Sequence, residues 1–210
     1  MPIEIPLTKG ETAIVSEEDK DLAQWSWRLC DSNRRRHGGH YAGYAKCWVS
    51  HAHAEASPYR QGQTKRLHRV ILERIEGRVL ERWEHTDHIN GNGLDNRREN
   101  VRLATPSQNS CNTRKPKARE GSSYGKISKY KGVSRTKKRN GDFMSTWYCY
   151  IRVNGKVHYR SGFKTEEDAV WARDVLALKL HGEYAYLNFP ERLEEYMADL
   201  KNTRKKILEP

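Results

Sequence analysis

Apolar side chains recur at regular spacing in several short stretches of the chain. Alternation with polar residues predicts a strand, and apolar residues on one helical face predict a helix. Residues 3–7 alternate apolar and polar side chains, as a strand with one buried face does. Residues 67–75 place their apolar side chains on one face of a helix, and Gly77 is suited to end that helix. Short elements of both kinds predict a chain of mixed α+β class that is built from small modules.

Residues 1–64 are predicted to form a β-rich region. Residues 16–19 (Ser-Glu-Glu-Asp) have the pattern of a capping box, which predicts a short helix as far as about Trp25. Trp25 and Trp27 are expected to pack in a small core. Residues 40–49 have the aromatic content of a strand. We interpret residues 1–64 as a structural support for the segment that begins at residue 65.

The middle of the chain is predicted to contain a strand, a tight turn and a loop. Residues 83–89 can pair as a short strand. Residues 90–93 (Asn-Gly-Asn-Gly) tolerate positive φ and therefore predict a turn. Residues 94–100 are polar and lack a helical stripe, so they are predicted to be a loop.

A second strand and a helix are predicted directly after that loop. Val101 and Leu103 alternate with polar neighbours, which indicates a short strand. Thr105 is a good N-cap residue, and Pro106 is suited to the first helical position. We expect this helix to run to about Arg114.

Three strands and one helix are predicted in the last third of the chain. The strands are expected at residues 130–135, 147–153 and 156–163. Asn154 and Gly155 favour a type I′ turn between the last two strands. Residues 165–168 (Thr-Glu-Glu-Asp) form a capping box at the start of the helix, and Gly182 ends it.

Alternation assigns the faces of this predicted sheet. Ile151 should face the helix, whereas Tyr150 and Arg152 should face away from it. Pairing through the turn places Tyr159 opposite Tyr150 on the outer face. The polar residues that flank Tyr159 would then point inward, which is awkward, and a bulge would shift these faces by one residue.

The charge of the chain narrows the class of partner. The formal net charge is +12, which favours nucleic acid over acidic small molecules. Residues 113–140 hold eleven lysines and arginines but one acidic residue, and residues 115–129 are predicted to be a flexible basic linker. The sequence has no apolar run of about 20 residues and no N-terminal signal pattern, so we expect a cytoplasmic protein without membrane association.

The cysteines and clustered histidines do not follow a usual zinc pattern. No Cys-x-x-Cys pair occurs, and free thiols are expected at Cys30, Cys47, Cys111 and Cys149. A second group is interpreted as surface residues of a polar hairpin, with a zinc site as the alternative: His37, His40, Cys47, His51 and His53.

Four polar residues in the middle segment have the spacing of a known active site. From His88, Asn100 lies 12 positions on and Asn109 lies 21 positions on, and Asp87 precedes His88. With the strands and helix around them, they resemble the HNH endonucleases of ββα-metal fold, in the Asp-His, Asn, Asn variant of phage and intron-associated homing enzymes. A Leu-His-Arg sequence before the Asp-His strand is also typical of this family. We interpret its His68 as a structural residue, with a position near the site as the alternative.

The resemblance implies a role for each of these residues. His88 would be the general base, and Asn100 would hold its ring in the right tautomer and orientation. Asp87 and Asn109 would bind one divalent metal ion. Asn109 is a neutral, hard oxygen ligand, so Mg²⁺ or Mn²⁺ is favoured over zinc. Phosphodiester hydrolysis needs a proton acceptor on one side of phosphorus and charge neutralisation on the other, and these residue types can supply both.

Residues 130–190 resemble a second family, the DNA-binding domains of APETALA/ethylene-response-factor type. The resemblance rests on the sequences YKGVS, GF-TEEDA and LNFP, on Trp147 in the second strand and on Gly182. It implies that the outer face of the sheet enters the major groove. The expected DNA contacts in this domain and the linker are Arg114, Lys115, Lys131, Arg135, Tyr150, Arg152 and Tyr159.

The sequence therefore predicts a metal-dependent, site-specific DNA endonuclease of homing type that nicks double-stranded DNA. It is expected to act as a monomer, without a small-molecule cofactor, in the host cell of a phage or mobile element. The alternative is a DNA-binding regulator with an inactive nuclease module. The predicted domains are a support region (1–64), a nuclease (65–114), a linker (115–129), a DNA-binding domain (130–190) and a helical tail (191–210) that docks on that domain.

Overall fold

The computed structural model of the chain describes residues 1–30, 43–51, 58–113, 128–153 and 155–208. These residues form two compact units, Met1–Ser110 and Cys111–Pro210. Both units combine small sheets with helices, so the chain is of mixed α+β class, as predicted. Within the described ranges, none of the helices combines the length and the apolar composition that a membrane-spanning helix requires.

The first unit opens with a strand pair that gains a third strand from much later in the chain. Strands β1 (Ile3–Pro6) and β2 (Thr12–Val15) are antiparallel, and β2 pairs in parallel with β7 (Asp95–Asn96). The alternation predicted for β1 places Ile5 in the core. Residues 94–100 were predicted to be a loop. Two of them, Asp95 and Asn96, form β7 instead, because they pair with the backbone of β2.

A 3-10 helix, Glu17–Gln24, follows β2 where a short helix was predicted. Ser16 makes no side-chain capping hydrogen bond, so the predicted capping box is wrong. Its hydroxyl instead accepts a hydrogen bond of 2.9 Å from the backbone N–H of Arg98. Asp19 in this helix is fully buried and lies 2.7 Å from the guanidinium of Arg98 and 3.2 Å from that of Arg74. Tertiary contacts rather than a local cap hold the helix in place.

The second sheet of this unit leads directly into a helix. Strands β3 (Arg28–Cys30), β4 (Tyr44–Trp48) and β5 (Thr64–Arg66) are antiparallel with β4 in the centre. Helix α1 (Leu67–Glu76) starts at the next residue and ends at Gly77, whose φ of +66° is the left-handed conformation that glycine favours. Both ends agree with the sequence prediction. The predicted apolar face is buried at Leu67, Val70 and Ile71, but Ile75, which was predicted to share it, is 40% exposed.

A hairpin and a short helix complete the first unit. Strands β6 (His85–His88) and β8 (Val101–Ala104) are antiparallel, and helix α2 (Pro106–Cys111) follows. Thr105 and Gln108 form a capping box at its start: Gln108 N donates to Thr105 Oγ1 at 3.3 Å, and Thr105 N donates to Gln108 Oε1 at 2.8 Å. The helix ends earlier than the sequence predicted.

One hydrophobic core joins the elements of the first unit. It draws residues from both sides of position 64, from Ile5 in β1 to Val101 in β8. The predicted support region and nuclease therefore share their core. All four cysteines of the chain lie within the described residues, and none forms a disulfide.

The second unit is a three-stranded antiparallel sheet with a long helix on one face. The strand order is β11 (Lys156–Phe163), β10 (Phe143–Val153) and β9 (Val133–Lys137). Helix α3 (Glu166–His181) begins with the predicted cap, in which Thr165 accepts a hydrogen bond of 3.1 Å from Asp168 N. The inner side chains of β9 and β10 pack on this helix at Val133, Cys149, Ile151, Ala169, Val170, Leu176 and Ala177.

The helix leaves strand β11 open to solvent. His158 pairs with Ile151 and Arg160 pairs with Cys149, so both polar residues do lie on the inner face of the sheet. Every residue of β11 except Phe163 is nevertheless exposed. Their inward position is therefore not awkward, because both side chains are exposed to solvent.

A buried carboxylate ties the end of the unit to α3. Asp174 is fully buried and accepts hydrogen bonds from the backbone N–H groups of Asn188 and Phe189, at 2.7 and 3.2 Å. Helix α4 (Leu193–Leu208) follows, and its Tyr196 is fully buried with its hydroxyl 3.4 Å from Asp174. The predicted docking of the tail helix on this domain is confirmed by that burial.

Candidate active site

Strand β6 presents the candidate residues on its two faces. Side chains alternate along a strand, so His85 and Asp87 share one face while Thr86 and His88 share the other. Asp87 is 4% exposed and His88 is 6% exposed, which is unusual for polar side chains without a functional or structural role. The hairpin therefore holds a buried carboxylate and a buried imidazole side by side in sequence but on opposite faces.

The ring of His88 is held by a residue that the sequence analysis did not single out. Nε2 of His88 lies 3.2 Å from Oδ1 of Asn96, and Asn96 is fully buried in β7. An amide oxygen can only accept a hydrogen bond, so this contact favours the neutral tautomer with the proton on Nε2. The parallel pairing of β7 with β2 positions Asn96, and nothing in the local sequence signals that pairing.

Two aromatic side chains pack on the same imidazole. The ring centroid of His68 in α1 lies 5.1 Å from that of His88, at an interplanar angle of 86°. Tyr44 in β4 contacts both rings, with centroid separations of 5.0 Å to His68 and 5.9 Å to His88. Gly93 allows this approach, because a Cβ there would come within 2.7 Å of the Tyr44 ring. His68 is therefore part of the site's wall.

Burial sets the protonation of both histidines. Desolvation lowers the pKa of His88, and the hydrogen bond to Asn96 together with the nearby charges of Asp87 and Asp95 offsets only part of that effect. Desolvation also lowers the pKa of His68 well below its ordinary value. Both rings are consequently neutral at neutral pH, and a neutral imidazole can accept a proton.

Asn100 holds the loop rather than the imidazole. Its Oδ1 accepts a hydrogen bond of 3.0 Å from the backbone N–H of Asn90. Its Nδ2 donates to Asn90 Oδ1 at 3.1 Å and to the carbonyl of Asp95 at 2.6 Å. The family resemblance predicted a contact between Asn100 and His88. In the structure Asn100 instead closes the turn that follows His88, and Asn96 lies against the ring.

Asp87 is paired with an arginine on the neighbouring strand. Arg102 is the register partner of Asp87 in the hairpin, and its Nε and Nη2 donate to Oδ2 at 2.9 and 2.7 Å. Both side chains are largely buried. A cation that binds this carboxylate would share it with Arg102 or displace the guanidinium. The antiparallel register brings this residue to the site, and the sequence pattern gave no sign of it.

Asn109 reaches the Asp87 face of the hairpin from helix α2. Its Nδ2 lies 3.3 Å from Nδ1 of His85, the residue that shares the face of Asp87. Both side chains of this pair are half-buried. The structure therefore brings Asp87, His85 and Asn109 to one side of strand β6, with His88 on the other side.

The donor set fits a hard divalent cation. Across the part of the chain that the structure describes, no three His, Cys, Asp or Glu side chains converge as a metal cluster. Asp87 and Asn109 instead offer one buried carboxylate and one amide. Mg²⁺ is commonly bound through one or two protein oxygens, with water and substrate phosphate completing the shell. These residues fit such an ion and not a structural zinc ion.

The second unit presents an aromatic outer face on its sheet. Tyr150 and Tyr159 pair across β10 and β11, and both are exposed together with Arg152. Tyr148 lies beside them, with its ring centroid 5.1 Å from that of Tyr159 and 6.2 Å from that of Tyr150. Three of the expected DNA contacts thus share one face, as the alternation predicted.

Two other expected DNA contacts are engaged within the unit. The ammonium of Lys131 donates to the carbonyls of Cys111, at 2.8 Å, and Thr113, and burial lowers its pKa to about 8. Arg135 lies on the inner side with Val133, and its guanidinium lies 5.6 Å from the ring centre of Trp147. Arg135 lies on the helix side of β9 by its strand position, whereas Lys131 lies in the turn before β9 and donates to backbone carbonyls.

Some sequence predictions fall outside the described residues. The linker predictions at Arg114 and Lys115 lie there, and so do His37, His40 and His53 of the alternative zinc group. The remaining candidate residues, from Asp87 to Tyr159, are all described.

Comparisons with known proteins match the part of the chain that carries this site. A family model described as HNH endonuclease matches residues 65–111, from α1 through α2. An uncharacterized HNH endonuclease of Acanthamoeba polyphaga mimivirus is 34% identical over 123 residues, which cover 58% of this chain and 56% of that protein. Protein 3.8 of Escherichia phage T7 is 30% identical over 120 residues, which cover 57% of this chain and 88% of that protein. No solved structure matches the chain.

Proposed function

Because the chain belongs to the HNH endonuclease family, we propose that it is a metal-dependent, site-specific DNA endonuclease of homing type that nicks its target. One observation carries the proposal. A buried, neutral His88 lies beside Asn96, and on the opposite face of the same strand Asp87 shares a side with Asn109. A proton acceptor and a set of oxygen ligands are thereby held within one short hairpin and helix.

His88 acts as the general base. Burial favours the neutral imidazole, and the contact with Asn96 favours the tautomer with the proton on Nε2. In that tautomer Nδ1 would accept the proton of the attacking water. Asn100 closes the turn after His88, so its role is to fix the backbone that carries the base. Tyr44 and His68 limit the motion of the ring and exclude water from two sides of it.

Asp87 and Asn109 would hold one Mg²⁺ or Mn²⁺ ion. Such an ion would supply positive charge for the scissile phosphate and for the leaving 3′ oxygen. Arg102 lies against Asp87 and adds a fixed positive charge at the same place, which favours an incoming phosphate. Arg102, beside Asp87, would thus bind the phosphate, and the adjacent His88 would remove the proton from the attacking water.

The second unit holds the DNA. We propose that it is a DNA-binding domain of APETALA/ethylene-response-factor type, which presents Tyr150, Arg152 and Tyr159 to the duplex. The net charge of +12 supports a phosphate-rich partner. One catalytic hairpin in each chain favours cleavage of one strand by a monomer. Its relatives are viral proteins, so we propose that it acts in the cytoplasm of the host cell.

Cleavage of supercoiled DNA tests the proposal. The chain would be incubated with plasmids that carry fragments of a phage genome, in Mg²⁺, in Mn²⁺ and with EDTA. We expect nicked circles in either metal and no product with EDTA, and fewer breaks at other positions than at one preferred sequence. Binding without cleavage of any substrate would contradict the proposal in favour of a DNA-binding regulator with an inactive nuclease. Linear product without a nicked precursor would contradict nicking.

A further inference from the structure

His85 lies where it can control the orientation of a proposed metal ligand. Its side chain occupies the Asp87 face of β6, and its Nδ1 is 3.3 Å from Nδ2 of Asn109. Both residues are half-buried, and no role in catalysis or metal binding has been assigned to His85 so far. The contact joins the first strand of the hairpin to the helix that follows the second strand.

The orientation of the Asn109 amide decides whether it can bind a cation. An amide has one oxygen, which can ligate a hard cation, and one NH₂ group, which cannot. The two ends have nearly the same shape, so packing alone does not distinguish them. A hydrogen-bond acceptor beside the amide distinguishes the two ends, because only the NH₂ end can donate a hydrogen bond to it. Nδ1 of a neutral imidazole is such an acceptor when the proton is on Nε2.

The backbone on both sides of this contact is fixed. His85 is paired with Ala104 at the open end of the β6–β8 hairpin. Helix α2 begins two residues after Ala104, and its capping box joins Thr105 to Gln108. The backbone N–H of Asn109 donates to the carbonyl of Thr105 at 3.0 Å. These hydrogen bonds fix the backbone positions of His85 and Asn109, so the fold itself brings the two side chains together.

We infer that His85 is a positioning residue of the metal site, which accepts a hydrogen bond from Asn109 Nδ2 and so presents Asn109 Oδ1 to the cation. The inference rests on the proposed function, since it assumes a metal held by Asp87 and Asn109. Residues that orient a metal ligand in this way typically change metal affinity by about 10–100-fold when they are removed.

Mn²⁺ binding tests the inference without any cleavage. The free Mn²⁺ concentration would be measured by electron paramagnetic resonance in titrations of the full chain and of its variants. His85→Ala should weaken Mn²⁺ binding by about 10–100-fold. His85→Asn should stay within about threefold of the unchanged chain, because its Oδ1 can occupy the place of Nδ1 and accept the same hydrogen bond. Thr86→Val, on the opposite face of β6, is the matched control and should bind Mn²⁺ normally. Thermal melting would show that each variant is folded.

Three outcomes separate this inference from the proposed function. Normal Mn²⁺ affinity in folded His85→Ala would overturn the inference and leave the proposed function intact. Direct nitrogen coupling to bound Mn²⁺ that disappears in His85→Ala would also overturn it, because His85 would then be a ligand itself. If the unchanged chain binds Mn²⁺ no better than Asp87→Ala does, the proposed metal site fails and the inference fails with it.

Discussion

At the scale of single residues, the proposed site depends on a buried histidine, His88, whose pKa is lowered by burial and whose contact with Asn96 favours one tautomer. Asn96 supplies the acceptor at Nε2 of His88, whereas Asn100 fixes the loop. Asn96 and Asn100 therefore have different structural roles. Removal of Asn96 should affect the orientation of the base, and removal of Asn100 should affect the backbone that carries it.

The first prediction concerns Asn96. Asn96→Ala should lower the cleavage rate at saturating DNA by about 10–100-fold, the loss typical of residues that orient a functional histidine, and less than the about 10²–10⁴-fold that a general base contributes in full. DNA affinity should be unchanged, because Asn96 is fully buried and cannot contact DNA. Rate and affinity would be measured separately, with Glu99→Ala, an exposed residue of the same segment, as the control. A loss of affinity with an unchanged rate would contradict this role.

The second prediction concerns the pH dependence of stability. Burial depresses the pKa of His68 in the folded state, so the unfolded chain binds more protons at acidic pH. The stability that depends on a neutral His68 is present above pH about 6.5 and is lost as the pH falls toward its folded pKa. At pH 5.5 this loss amounts to about 1.4 kcal/mol for a group that stays neutral in the folded state.

His68→Phe keeps a ring at this position and removes the titration. Between pH 7.5 and 5.5, the free energy of unfolding of the unchanged chain should therefore fall by about 1.4 kcal/mol more than that of His68→Phe. Urea unfolding at both pH values would measure the difference. Parallel pH profiles for the two proteins would show that His68 is protonated in the folded state.

The sequence indicated single candidate residues only where the signal is local. Asp87, His88, Asn100 and Asn109 were proposed because their spacing resembles that of the HNH endonucleases, and their roles stay predictions. Asn96 and Arg102 do not, because they reach the site through strand pairing. Local sequence determines a turn or a cap, whereas the pairing partner of a strand is decided by tertiary packing.

At the scale of elements, the same distinction holds. Helix α1 was predicted with both ends, because its apolar face and its final glycine are both local signals. Strand β7 was missed, because two polar residues pair only when β2 is already in place. The capping box predicted at Ser16 fails for a related reason, since its hydroxyl is taken by Arg98 from a distant segment.

The third prediction concerns the link between α3 and the end of the chain. Asp174 receives hydrogen bonds from two backbone N–H groups and from the side chains of Arg173, Asn188 and Tyr196. Asp174→Ala leaves these buried donors without an acceptor and should cost about 3–5 kcal/mol of stability. Asp168→Ala, on the exposed first turn of α3, should cost less than about 1 kcal/mol. Chemical unfolding would measure the free energy of unfolding of both variants. Equally small losses of stability would contradict a stabilising role for the hydrogen bonds to Asp174.

At the scale of the whole molecule, a strongly basic chain carries a small hairpin with the proposed catalytic residues and, in its second unit, a sheet with an exposed aromatic face. The net charge of +12 predicts DNA binding that weakens steeply with salt. The outer face of the second unit, with Tyr150, Arg152 and Tyr159, is the place where we expect that unit to contribute.

The fourth prediction compares two arginines on opposite faces of that sheet. Arg152→Ala should weaken DNA binding several-fold and lower the salt slope by about 1, because one phosphate or base contact is lost. Arg160→Ala removes the same charge from an exposed position on the inner face and should have a smaller effect. Salt titrations of both variants on the same duplex would measure this, and equal losses would argue against binding through the outer face.

The most direct test of the account is DNA cleavage by the unchanged chain and by His88→Ala under single-turnover conditions, with DNA saturated by protein. The account predicts metal-dependent nicking by the unchanged chain. It also predicts a rate at least about 100-fold lower for His88→Ala at equal DNA affinity, since the loss of a general base affects the chemical step and not binding. Equal cleavage rates for the two proteins would contradict the assignment of His88 as the base on which the account rests.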